Sequence, residues 1–210
     1  MKIRRVVTGH DDEGKAVFVD DQEVEPITVS LTPEAEYHRL WGANELPTFP
    51  DDGVRPADEP FFPPVGGHRF LVFAVPPGHR QEVGSPEPTP EELAFGMEEL
   101  ERKLPGLRDH MEPDAPGMHT TASIDFEVVL EGEVWLELDD GAEVHLKPGD
   151  TVVQNGTRHA WRNKGTETAR LVAVLIGAHH GRVTTPPADV PPPWRSANAE
   201  PARGGHSRPV

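Results

Sequence analysis

Residues 116–138 read PGMHTTASIDFEVVLEGEVWLEL, and the fold turns on how this stretch is read. Apolar and polar residues alternate along it, the period of a strand with two unlike faces. Glu131-Gly132 interrupts the alternation as a turn, which predicts strands over 124–130 and 133–139. One face carries Ile124, Phe126, Val128 and Leu130, and the pattern assigns these to the core. The other carries His119, Thr121, Ser123, Asp125 and Glu127. A face that met only solvent would not need an imidazole and two carboxylates in register. That face is the first candidate for chemistry.

A second stretch, PGDTVVQNGTRHAWRN over 148–163, supplies another histidine. Pro148-Gly149-Asp150 marks a turn before a strand and Asn155-Gly156 a tight turn after it. His159 and Trp161 then share one face, with Arg158 and Arg162 on the opposite one. Further strands are expected at 142–146, 151–154, 158–162 and 168–176, with Asp140-Gly141 as a two-residue hairpin signal and Asn163-Lys164-Gly165 as another turn. Short, evenly spaced strands with glycine turns point to a sandwich or small barrel.

Upstream, residues 2–8 and 15–20 read as a hairpin, and 24–30, 37–42 and 69–75 as strands. A Pro-rich loop fills 44–67. Residues 90–104 are the one clear helix: Thr89 caps it, Pro90 suits its first position and Glu92 completes a capping box. Leu93, Met97, Leu100 and Leu104 recur at helical spacing, so that stripe is expected to pack on the body. The acidic residues around the helix form a solvated face, and His179-His180 a surface pair. Residues 184–210, rich in Pro, Ala and Gly, are expected to be a disordered tail.

The 24 prolines and 20 glycines among 210 residues are too many for a helix bundle. A net charge of −16 argues against nucleic acid or an anionic membrane as partner. Cysteine is absent, which removes disulfides and thiol chemistry. No apolar run approaches the length of a membrane span, and a cytoplasmic location is expected.

The two quoted stretches resemble the paired motifs of the cupin superfamily. In the first motif His119 takes the first histidine position, Thr121 stands where the second histidine would be, Asp125 replaces the glutamate, and Gly132 follows. In the second, Pro148-Gly149-Asp150 leads to Gly156, His159 and Asn163, with Gln154 in place of a proline. The resemblance implies an all-β fold, an antiparallel RmlC-like jelly-roll barrel over 116–180. Residues 1–115 would add an N-terminal strand extension and one outer helix, packed on that barrel.

It also implies a divalent metal (Fe, Mn, Ni or Zn) held by His119, Asp125 and His159, with Thr121, Gln154 and Trp161 as substrate contacts and a homodimer through the N-terminal strands as the assembly. Glu127 shares the interior face with Asp125. It is expected to be a general acid/base, and a fourth ligand or the partner of a buried arginine are the other roles open to it. The leading expectation is a metal-dependent lyase, dehydratase, decarboxylase or isomerase acting on a small hydroxy or keto acid. The alternatives are an iron(II) dioxygenase and a non-catalytic barrel that binds a small molecule.

Overall fold

The computed structural model describes residues 1–56, 59–78 and 89–181. Its strands, in chain order, are β1 (Arg4–His10), β2 (Ala16–Glu23), β3 (Ile27–Val29), β4 (Thr32–Ala43), β5 (His68–Val75), β6 (Ser123–Glu131), β7 (Val134–Glu137), β8 (Glu143–Leu146), β9 (Thr151–Asn155), β10 (Ala160–Arg162) and β11 (Ala169–Gly177). The helix α1 spans Pro90–Lys103. The expected tail over 184–210 lies outside the described residues.

Two sheets face each other as an antiparallel jelly roll. One has six strands in the order β3-β4-β5-β11-β6-β9, the other three in the order β10-β7-β8. Val129, Ala169 and Leu171 from the larger sheet meet Val134, Leu136 and Leu146 from the smaller, closing one end of the barrel with a dry core. Burying Leu171 completely contributes about 2–3 kcal/mol. Gly132 turns β6 into β7 at φ 69°, and any side chain there would meet Ala169 Cα at 2.7 Å.

The N-terminal strands divide their labour. β4 and β5 lie inside the large sheet, with β5 paired along its length to β11, so the barrel draws on residues well before 116. β1 and β2 instead form a hairpin of their own, tied to β4 where Arg5 donates to the Leu40 carbonyl at 3.1 Å. The β7–β8 connection is a hairpin, but with three turn residues rather than two: Leu138 N–H donates to Ala142 O at 2.8 Å around Asp139–Gly141.

The helix starts as its sequence dictates, with Thr89 and Glu92 satisfying each other's backbone N–H. It lies outside the barrel against β3. Glu99 accepts from Ser30 N at 2.7 Å, and Lys103 donates to Thr28 O at 2.7 Å. Only the C-terminal half of the expected stripe reaches the core, through Leu100 and Leu104. Leu93 is 43% exposed, because the contact with β3 is made by the later turns and by Gly96 against Leu31.

The face of β6 that the alternation assigns to the core is turned outward, and the interior face is the one on which the resemblance sets Asp125 and Glu127. Phe126 is 44% exposed and Leu130 also faces out, whereas Asp125 and Glu127 are 4% and 5% exposed. The reason is local: at this level the barrel interior is not a packed core but a cavity.

Candidate active site

The cavity has a volume of about 790 Å³. Its wall follows the inner face of the large sheet: Tyr37 on β4, Leu71 and Phe73 on β5, Ala173 and Leu175 on β11, then Asp125 and Glu127 on β6. Trp161 on β10 and the pair Phe61-Phe62 complete it. Exposed residues Gly78, Pro116, Gly117 and Lys164 mark its mouth.

Two devices hold the Phe61-Phe62 segment in place. Arg69, 1% exposed, donates to Pro60 O at 2.7 Å, Ala43 O at 2.8 Å and Asn44 Oδ1 at 2.7 Å. At the end of β11, Gly177 passes so near the Pro64 carbonyl that a Cβ would overlap it. The role of buried arginine partner, open to Glu127 from the sequence, goes instead to these carbonyls. Phe61-Phe62, Tyr37 and Phe73 had no motif to announce them. The only local hint was an aromatic pair inside a Pro-rich loop.

His119 and His159 are joined backbone to backbone, each N–H donating to the other's carbonyl at 2.9 Å, and their rings lie 4.1 Å apart. His119 Nδ1 donates to Gly117 O at 3.0 Å and His159 Nδ1 to Thr157 O at 2.9 Å. A carbonyl only accepts, so both Nδ1 atoms carry the proton and Nε2 is the free acceptor. Burial pushes His159 down to about 4 and lowers His119 as well, so both rings are neutral near pH 7. The flanking arginines steady the chain leading to His119. Arg158 grips Glu112 with two bonds of 2.7 Å, and Arg162 donates to Pro116 O at 2.7 Å.

Asp125 Oδ1 and Glu127 Oε2 are buried and accept no hydrogen bond among the described residues. Burial raises Asp125 to about 6, while the Ser123 and Thr121 hydroxyls pull it back. Burial, reinforced by the neighbouring Asp125 charge, raises Glu127 to about 8. Near neutrality one carboxyl is therefore ionised and the other holds its proton, the division of labour that acid/base sites use.

The cavity thus brings together His119, Asp125, Glu127, His159 and Trp161. Thr121 and Gln154 do not line it. Thr121 Oγ1 accepts from Ser123 at 3.0 Å, and Gln154 donates to Thr157 O at 3.2 Å, which braces the turn before His159. Asn163 anchors its turn by donating to Val75 O and Glu167 O, each at 2.8 Å, and His179-His180 lie exposed. Imidazoles and carboxylates are donor types that a divalent ion accepts. Among the described residues, however, no group of three or more converges to hold one. This arrangement does not fit a bound ion, and no step is drawn through one.

Residues 109–175, which hold β6 to β10 and most of β11, match the family described as Cupin domain. Phomopsin biosynthesis cluster protein C' of Diaporthe leptostromiformis is 52% identical over 62 residues, 29% of this chain and 33% of that protein. The chain thus spans only 33% of the length of that curated relative. Two proteins align more broadly. The cupin-domain-containing oxidoreductase fogC of Aspergillus ruber is 27% identical over 83% of this chain and 72% of its own length. The cupin-domain-containing oxidoreductase srdB of Neurospora crassa is 29% identical over 82% of this chain and 72% of its own. No helix among the described residues is long and apolar enough to cross a membrane.

Proposed function

We propose that this protein is an enzyme that moves protons on a small organic molecule held in the barrel, in an isomerisation or dehydration. The observation that carries the reading is the pair of buried carboxyl oxygens, Asp125 Oδ1 and Glu127 Oε2, that belong to residues lining a ligand-sized cavity and have no partners among the described residues. Buried polar atoms are rarely left unpaired, and a site built to meet a substrate is one reason for the exception. In this reading Asp125 removes a proton and Glu127 supplies one, while the Nε2 lone pairs of His119 and His159 accept from a substrate hydroxyl. Trp161 and the phenylalanines exclude water and hold the substrate body.

The test follows product formation by the wild type, Asp125→Asn and Glu127→Gln in D2O. An isomerisation should place solvent deuterium at carbon in the product, a dehydration should release the hydroxyl as water and leave the product carbons unlabelled, and each substitution should lower turnover by about 10²-fold or more. Full activity in both variants would end the reading.

A second reading, oxidoreduction, is favoured by the names of the two relatives that align over 83% and 82% of the chain. It expects net oxidation or reduction of the substrate on turnover, with an external electron acceptor or donor consumed in equal amount.

A further inference from the structure

We infer that the substrate is an uncharged, largely flat and apolar molecule ending in a hydroxyl group, and not a small hydroxy or keto acid. The inference rests on the cavity being the catalytic site, and it is carried by how the wall changes from strand to strand.

The sheet register fixes that change. Tyr37 on β4 stands opposite Phe73 on β5, and Leu71 on β5 opposite Ala173 on β11. Ala173 and Leu175 in turn stand opposite Glu127 and Asp125 on β6. From β4 to β6 the inner face therefore runs from aromatic to aliphatic to acidic. Ring systems continue around the cavity: Phe61 meets Phe62 edge to face at 5.0 Å, Phe62 stacks near His119 at 6.3 Å, and Trp161 tilts towards Phe73 at 6.0 Å. Such walls favour a planar apolar body. A volume of about 790 Å³ sits within the range of roughly 300–1,000 Å³ that encloses a drug-sized ligand, far more than a three- or four-carbon acid fills.

The charges point the same way. Two cations line the cavity among the described residues, and both are engaged: Arg162 with Glu137 and the Pro116 carbonyl, Lys164 with Glu143. Arg39, engaged elsewhere, lies over the Phe61 ring at 6.0 Å rather than lining the cavity. A substrate carboxylate pushed towards β6 would find two carboxyl groups and, among the described residues, no free counter-ion, and an unpaired buried charge is strongly unfavourable. A hydroxyl finds what it needs, since the imidazole Nε2 atoms and the Oδ1 of ionised Asp125 are acceptors.

The experiment is calorimetric titration of the full chain at pH 7 with 4-butylbenzyl alcohol, 4-butylbenzoate and lactate. The alcohol is expected to bind at least about tenfold more tightly than the benzoate of the same carbon frame, and lactate not to bind. In the double variant Asp125→Asn, Glu127→Gln the benzoate should bind about tenfold more tightly than to the wild type, and the preference for the alcohol should shrink or vanish, a gain of benzoate affinity that misfolding cannot produce. Equal or tighter binding of the benzoate by the wild type, binding of lactate alone, or no binding of any probe overturns the substrate class. Should the alcohol bind as expected while Glu127→Gln keeps full turnover, the substrate class stands and the proton-transfer reading falls.

Discussion

Asp125 and Glu127 project from alternate positions of β6 onto one inner wall, and each leaves one carboxyl oxygen buried without a partner among the described residues. Burial raises both, and the Asp125 charge raises Glu127 further, so their proton affinities stand at about 6 and about 8. The two titrate as a coupled pair, so the working form is the singly protonated one between those values. Turnover should trace a bell that rises near pH 6 and falls near pH 8. A profile flat from pH 5 to 9 would show that neither group takes part.

The same pair sets how stability depends on pH. Glu127 is raised from 4.5 to about 8, so the native state holds a proton that the unfolded chain releases. Its contribution is fully present below 4.5 and is lost as pH rises through 8. His159, lowered from 6.5 to about 4, acts in the opposite sense, and its stabilisation is complete above 6.5. Between about pH 6.5 and 8 the loss belongs chiefly to Glu127. Melting curves should show the wild type losing roughly 2 kcal/mol across that window relative to Glu127→Gln. Parallel curves for the two proteins would place the titration elsewhere.

Arg69 predicts a second kind of loss. Its guanidinium satisfies three backbone carbonyls and Asn44 from a fully buried position, and through them holds the segment bearing Phe61-Phe62. Arg69→Met keeps most of the volume but strands those acceptors, each worth about 1–3 kcal/mol when buried and unpaired. The variant should melt well below the wild type, by more than about 5 °C. It should also bind cavity ligands weakly even where it remains folded. An unchanged melting temperature would mean that the segment is held by its other contacts.

Much of this was legible in the sequence, for local reasons. Turn chemistry at Glu131-Gly132 and Pro148-Gly149-Asp150, and the motif spacing of His119 and His159, act within a few residues and announced the β-rich barrel and its polar cluster. The pairing of β5 with β11 joins residues about a hundred positions apart, and nothing in either strand names its partner. The walls supplied by Tyr37 and Phe73 were invisible for that reason. Period-two alternation also separated the faces of β6 correctly but could not say which was inside. The usual rule puts the apolar face inward. It fails here because Asp125 and Glu127 face a cavity and Phe126 faces outward.

That outward face carries the last prediction. Phe126 and Leu130 on β6, Val153 on β9, Ile176 on β11 and Phe70 on β5 are all exposed on the outer side of the large sheet. They are neighbours by register, with Val174 and Val153 flanking Phe126 and Phe70 beyond Val174. We propose that a second copy of this chain covers them. A chain of net charge −16 repels itself over most approaches, and these side chains form a patch without charge where two copies can meet about a two-fold axis. Contiguous apolar patches of this kind mark association surfaces. Phe126→Lys places two like charges near that axis and leaves the cavity side of β6 untouched. Sedimentation should give a dimer for the wild type and a monomer for the variant, with the far-UV spectrum unchanged. A wild-type monomer at tens of micromolar, or a variant that stays dimeric, would rule out this face as the interface.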